Sequence, residues 1–181
     1  MKELLFTALM CAVSLIGLAQ TEPEFEYEPF VFNRADSAMN TALPCENAYE
    51  KAKAGASLYI TGIGKVKTYY YVDGIESSLK LDKSTSDIVV NTGGKSPMQT
   101  ISIVRMELLK SKRRWKSGEA GSFTGATAGT ESGAVDFKYK KFGSSSVIIS
   151  TKNFEPGEYC LSIINQMTNS KSSKVYTFSI K

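Results

Sequence analysis

After Gly55 the chain carries apolar side chains on every second residue, in short runs separated by Gly, Ser, Asn and Asp, and this period of two constrains the fold more than any other feature. In "VDFKYK", Val135, Phe137 and Tyr139 share one parity and Asp136, Lys138 and Lys140 the other. In "VYTFSI" the apolar set is Tyr176, Phe178 and Ile180. Side chains of a strand alternate between faces, so such runs bury one face and leave the other in water, as antiparallel sheets allow. Strands are expected near 57–62, 65–72, 78–81, 86–90, 100–110, 113–117, 134–140, 146–151, 158–164 and 173–180. That pattern predicts a mainly β domain over 57–181, an antiparallel β-sandwich of Ig-like or jelly-roll-like kind.

Some segments depart from the pattern. In "TISIVRMELLK", Ile101 and Ile103 have one parity while Val104, Met106 and Leu108 have the other, which predicts a β-bulge near 103–104. "PCENAYEKAKA" sets Cys45, Ala48, Tyr49 and Ala52 on one helical face, with Pro44 at its start and Gly55 after its end. A short helix is expected there. The segment 118–133 holds many glycines and small polar residues and reads as a long mobile loop. Glu155-Pro156-Gly157-Glu158 reads as a type II turn opening a strand, with Tyr159, Leu161 and Ile163 inward and both glutamates on a solvated rim.

Residues 4–19, "LLFTALMCAVSLIGLA", follow a lysine and end with Gly17 and Ala19 at the positions a signal peptidase requires. The run is too short for a membrane-spanning helix, so residues 1–19 are expected to be a signal peptide and the mature chain to be exported, periplasmic or at the cell surface, without a transmembrane segment. The net charge of +4 is uneven, because Glu22, Glu24, Glu26 and Glu28 alternate through "TEPEFEYEPF". Residues 20–56 are thus expected to form an acidic, flexible or edge-lying arm followed by the short helix. Histidine is absent, which excludes Ser-His-Asp and Cys-His catalysis and histidine-built zinc sites.

In "KVKTYYYV", Lys65, Lys67, Tyr69 and Tyr71 share one strand face, a combination suited to stacking on sugars or anchoring a protein. "KSKRRWK" gathers Arg113, Arg114 and flanking lysines around Trp115, the one tryptophan. Basic residues beside an aromatic can meet nucleic acid, but the modest net charge and the expected export argue for an anionic surface or a solvated hairpin instead. Cys45 and Cys160 are the two cysteines beyond the leader and are candidates for a disulfide in an oxidising compartment. Alternation weighs against it, since Cys160 faces away from Tyr159 and Leu161. The scattered carboxylates lack the spacing of a calcium loop, and "GIGK" at 62–65 lacks the rest of a phosphate-binding loop. No metal or cofactor is expected.

The layout "GKVKTYYYVDGIESSLKL", then "SPMQTISIVRMELLKSKRRWKSG", then "FEPGEYCLSI" resembles a loosely defined group of secreted proteins from Bacteroidetes-type bacteria, in which a Pro-Gly-Glu-Tyr turn opens a late strand of a β-rich domain. The resemblance spans residues 57–165 and implies the fold and the exported address, with no activity attached. The functional expectation is a non-catalytic interaction module for a protein or glycan. The alternative is an assembly subunit whose arm adds a strand to a neighbour.

Overall fold

The structure, a computed structural model, describes residues 21–122, 125–127, 132–164 and 172–181. The expected leader lies outside them. In chain order the elements are β1 (Pro29–Asn33), β2 (Ala38–Ala42), β3 (Cys45–Ala54), α1 (Ala56–Thr61), β4 (Lys65–Asp73), β5 (Lys80–Leu81), β6 (Ser86–Asn91), α2 (Pro97–Thr100), β7 (Ile101–Arg105), β8 (Glu107–Leu108), β9 (Lys112–Gly121), β10 (Gly125–Thr127), β11 (Lys138–Phe142), β12 (Ser146–Ser150), β13 (Gly157–Ile163) and β14 (Ser172–Ile180). The fold is mainly β and antiparallel. Only the short pairing of β5 with β14 runs parallel among the described strands.

Two sheets result, one of order β11-β12-β6-β1-β2 and a larger one of order β10-β9-β4-β3-β14-β13-β7. The larger sheet returns on itself. Strand β7 lies at one end, passes through Met106 into β8, and β8 pairs with β9 near the other end through Glu107↔Arg114 and Leu108↔Arg113. A sheet rolled in this way has an inside and an outside, and here both faces of its central strands are dry. On one face Ile101, Ile103, Tyr159, Leu161, Ile163, Phe178 and Ile180 meet Val31, Ile88, Val90, Val147 and Ile149 of the smaller sheet. On the other, Ala48, Val72, Val104, Met106, Trp115, Cys160 and Val175 form a second core within the roll.

This second core corrects the expected bulge. Strand β7 pairs with β13 without interruption from Ile101↔Ile163 to Arg105↔Tyr159. Both parities are apolar because both faces are buried: Ile101 and Ile103 look toward the smaller sheet, Val104 and Met106 into the roll. The expectation that Tyr176, Phe178 and Ile180 point inward holds, as does the inward set Tyr159, Leu161 and Ile163. The alternate residues Val175 and Thr177 are nevertheless buried instead of solvated.

The amino-terminal part is also more ordered than expected. Cys45–Ala54 is strand β3, not a helix, since seven pairings with β4 and five with β14 override the helical preference of its alanines, glutamates and lysines. The one helix near it is α1, on residues expected to begin a strand. Strand β1 lies between β6 and β2 in the smaller sheet, so the sheets begin at Pro29 and not near residue 57. Part of the expected loop 118–133 is a hairpin in which Gly125–Thr127 pairs with Glu119–Gly121; residues 123–124 and 128–131 lie outside the described ones.

Pro156 forms a bend instead of a closed type II turn, and Glu158 is 7 % exposed instead of lying on the rim. The bend serves packing. Tyr159 donates from its hydroxyl to the Glu155 carbonyl at 2.6 Å, and its ring packs against Phe154 and Phe178, at 5.1 and 5.3 Å between centroids, in a triangle whose third side is 6.3 Å.

Candidate functional site

Strands β3, β4 and β9 carry the predicted stripe. Alternation puts Tyr49, Lys51 and Lys53 of β3 on the same face as Lys65, Lys67, Tyr69, Tyr71 and Asp73 of β4, through the pairs Tyr49↔Tyr71, Lys51↔Tyr69 and Lys53↔Lys67. Strand β9 adds Lys112, Arg114 and Lys116, paired with Asp73, Tyr71 and Tyr69. The register then slips by one residue at Ser117, so that Glu119 instead of Gly118 comes to this face, opposite Lys67. Four candidate residues, Lys65, Lys67, Tyr69 and Tyr71, therefore share one face as expected, and Arg114, expected in a separate basic cluster, joins them.

The cations cover the rings. Tyr49 and Tyr71 stack at 5.8 Å, Lys51 and Lys112 lie 5.3 and 4.9 Å from the Tyr49 ring, Lys53 lies 5.9 Å from Tyr71, and the Arg114 guanidinium lies 4.4 Å from Tyr69. Each exposed contact of this type contributes about 0.5–1 kcal/mol and holds a flexible side chain in place. Tyr71 is only 5 % exposed. Burial pushes its phenol up, yet the Arg114 and Lys53 cations beside it more than offset this and leave it below the ordinary tyrosine value. Lys112 donates to the Tyr49 hydroxyl and pairs with Asp73 at 3.2 Å, and these two partners raise its own pKa.

With cations beside its rings, the face presents mainly positive charge. Seven cations, Lys51, Lys53, Lys65, Lys67, Lys112, Arg114 and Lys116, share it with the carboxylates of Asp73, Glu107 and Glu119. Glu119 takes Lys65 at 2.6 Å and Lys116 at 3.5 Å, and Glu107 takes Arg114 at 2.8 Å. Among the described residues no carboxylate lies at ion-pair distance from Lys51, Lys53 or Lys67. Sequence reasoning missed Tyr49, Lys51 and Lys53 because it assigned them to a helix.

Arg113 and Trp115 are not part of this surface. They have the opposite parity, each is 1 % exposed, and both point into the roll. Trp115 stacks on Tyr70 at 5.2 Å. Arg113 is the centre of a buried polar cluster: it donates from Nη2 to Glu46 at 2.8 and 3.0 Å and to the Asp73 carbonyl at 3.1 Å, and from Nε to the Gly74 carbonyl at 3.2 Å. Its Nη1 lies 3.4 Å from Glu158 Oε2. Glu158 further accepts from the Ser77 backbone N–H at 2.8 Å and the Ser179 hydroxyl at 2.5 Å, and Thr177 donates to Glu46. These bonds compensate the burial of Arg113 and Glu158 and the partial burial of Glu46, so the cluster is structural.

The cysteines are free. Cys45 shares a face with its neighbour Tyr176, whereas Cys160 shares the opposite face with Thr177. Strand β14 also separates their strands, which puts them about two strand spacings, roughly 9–10 Å, apart. No bridge can span that.

Two further features escaped the sequence. The Glu22 carboxylate sits in the turn between β11 and β12, accepting from the backbone N–H groups of Ser144 and Ser145 at 2.5 and 2.9 Å and from the hydroxyls of Ser144, Ser145 and Ser146. These donors, led by the Ser144 N–H, hold its pKa far below the usual carboxylate range. Gly143 has φ +64°, and a Cβ there would stand 2.2 Å from the Glu22 carboxyl carbon. Elsewhere a cleft of about 680 Å³ opens beside β11 and β12, lined by Arg34, Asp87, Lys138, Tyr139, Lys140 and Lys152 among others.

Among the described residues no group of three or more Cys, Asp and Glu is arranged to hold a metal ion, and no helix is long and apolar enough to cross a membrane. No family model, curated protein or solved structure matches the chain.

Proposed function

We propose that the protein is a non-catalytic, exported interaction module whose β3-β4-β9 face binds an acidic partner, an anionic glycan or an acidic stretch of protein. One observation carries this reading. Lys51, Lys53 and Lys67 are held side by side on one sheet face, two of them over tyrosine rings, with no carboxylate at ion-pair distance from them among the described residues and with Glu119, opposite Lys67, already engaged by Lys65 and Lys116. Like charges directly across a strand pair, as at Lys53↔Lys67, weaken a sheet. Such an arrangement is compatible with a ligand that supplies the missing negative charge and is drawn in by the field of the face. The absence of histidine from the sequence supports a binding role over a catalytic one. The shared core between the two sheets supports reading the architecture as a β-sandwich with one sheet rolled, and the likeness to secreted Bacteroidetes-type proteins belongs to the same reading.

The assembly role has less support. Residues that would donate a strand are already used within the chain, with β1 paired on both sides and Glu22 bound to the turn at Ser144–Ser146. The test of the leading reading is retention on immobilised heparin and polygalacturonate, with neutral dextran as control. Binding to both polyanions should weaken steeply with salt and fall at least tenfold in Lys51→Ala/Lys53→Ala/Lys67→Ala. Equal retention on dextran, or an unaffected triple variant, would dispose of it.

A further inference from the structure

The connection from β3 to β4 ends in a tip that leaves most of its large apolar side chains in water, Leu58 alone being half-buried. Tyr59 is 80 % exposed, Ile60 82 % and Ile63 54 %, and helix α1 buries no residue at all. An unpartnered helix of six residues does not persist in water on propensity alone, so something else holds the tip. Polar bonds do. Gly62, at φ +70°, closes the helix through its N–H to the Leu58 carbonyl at 3.1 Å, and the Thr61 hydroxyl donates to the Ser57 carbonyl at 2.8 Å. Ser122, at the end of β9, ties the tip down: its hydroxyl lies 3.1 Å from the carbonyls of Gly62 and Gly64 and from the Gly64 N–H, and its own N–H donates to the Gly64 carbonyl at 3.0 Å.

We propose that this tip docks the protein on an anionic lipid bilayer, with Tyr59, Ile60 and Ile63 entering the interfacial zone and the lysines below them meeting headgroup phosphates. Three large apolar residues exposed within five positions are unusual on a soluble domain and mark a contact surface. Three observations select a bilayer as the occupant. The apolar residues stand on a projection and not in a groove, which suits a deformable surface. Directly beneath them the strand pair carries Lys53 opposite Lys67, while Lys65 accepts the Gly55 N–H through its carbonyl at 3.2 Å and so marks the level at which the tip begins. An apolar cap with a tyrosine above a belt of lysines matches the order of acyl chain, interface and phosphate in a membrane leaflet.

This inference concerns the tip and stands apart from the proposed function of the face, although Lys53, Lys65 and Lys67 belong to both. The test is co-sedimentation of the full mature chain with vesicles of phosphatidylglycerol and phosphatidylethanolamine, and with vesicles of phosphatidylcholine alone. Binding to the first and at least tenfold weaker binding to the second is expected. Ile60→Ser/Ile63→Ser should lower the partition about tenfold or more while leaving heparin retention intact. Both residues are more than half exposed, so the variant folds, as circular dichroism will check. In a Tyr59→Trp variant the emission should shift to the blue on adding the anionic vesicles, against the constant background of buried Trp115. Failure of the parent chain to sediment with either vesicle, unchanged partition in the isoleucine variant, or an unshifted tryptophan each overturns the inference. Loss of heparin retention with vesicle binding kept would strike only the function proposed for the face.

Discussion

Arg113 and Arg114 are neighbours in β9 and differ in almost everything else. Arg113 points into the rolled sheet, 1 % exposed, and is held by two carboxylates and two backbone carbonyls. Arg114 points out, lies over Tyr69 and pairs with the half-exposed Glu107. The alternation of a strand is enough to send two adjacent, identical side chains to sites of different dielectric. A buried ion cannot lose its partners cheaply, whereas an exposed one is screened by water and remains available to a ligand. Charge inside this roll therefore serves stability, whereas charge on its outer face stays in contact with water.

The two faces can be compared most sharply through the cysteines. Cys45 is exposed and Cys160 is fully buried in the second core. In the folded protein Cys45 should react with a thiol reagent on the order of 10³-fold or more faster, because Cys160 must wait for opening of the roll. Equal rates, or a single oxidised species without free thiol, would mean that the roll is not closed. Next in size is Arg113→Met, which leaves the buried Glu158 and the half-buried Glu46 without their counter-ion and should cost about 3–5 kcal/mol in urea denaturation. Arg114→Ala should stay within ~1 kcal/mol. If the two variants lose similar stability, the distinction between the faces is wrong.

Glu22 stands between these extremes, partly exposed yet held by several donors. Gly143→Ala, which both strains a left-handed residue and drives a methyl group into the carboxylate, should cost roughly 1–2 kcal/mol, and Glu22→Gln less. The Glu22 pKa is lowered in the folded state. Its contribution is therefore present above the ordinary carboxylate value and disappears as pH falls through the depressed folded one. Glu22→Gln should accordingly flatten the acid side of the stability profile, and a profile identical to that of the parent chain would show the latch to be idle. The smallest effect belongs to the outward lysines: Lys51→Ala/Lys53→Ala/Lys67→Ala should leave stability within about 1 kcal/mol, or raise it slightly by relieving repulsion. A large loss would make the face structural.

Much of this was legible from parity alone. The alternation in 158–164 and 173–180 located β13 and β14 to within a residue, with one of the faces they bury, and the stripe of Lys65, Lys67, Tyr69 and Tyr71 was readable in "KVKTYYYV". The rolled sheet was not. Two-faced burial leaves a strand apolar on both parities, which in "ISIVRM" looks the same as a bulge until the second partner is known. Strand β3 was hidden by its alanines and glutamates, whose identity says little about which element they join. The inward course of Arg113 did leave a signal, since it shares parity with Trp115, the bulkiest apolar residue of its run. The Glu22 latch left none, because it joins residues more than a hundred positions apart.

One consequence follows from the place of β14 between β3 and β13. A nascent chain that has not yet released residues 172–180 leaves both neighbouring strands with bare edges, and the cylinder of side chains around Trp115 and Cys160 stands open along its whole length. Closure of the roll thus waits until residues 172–180 are in place.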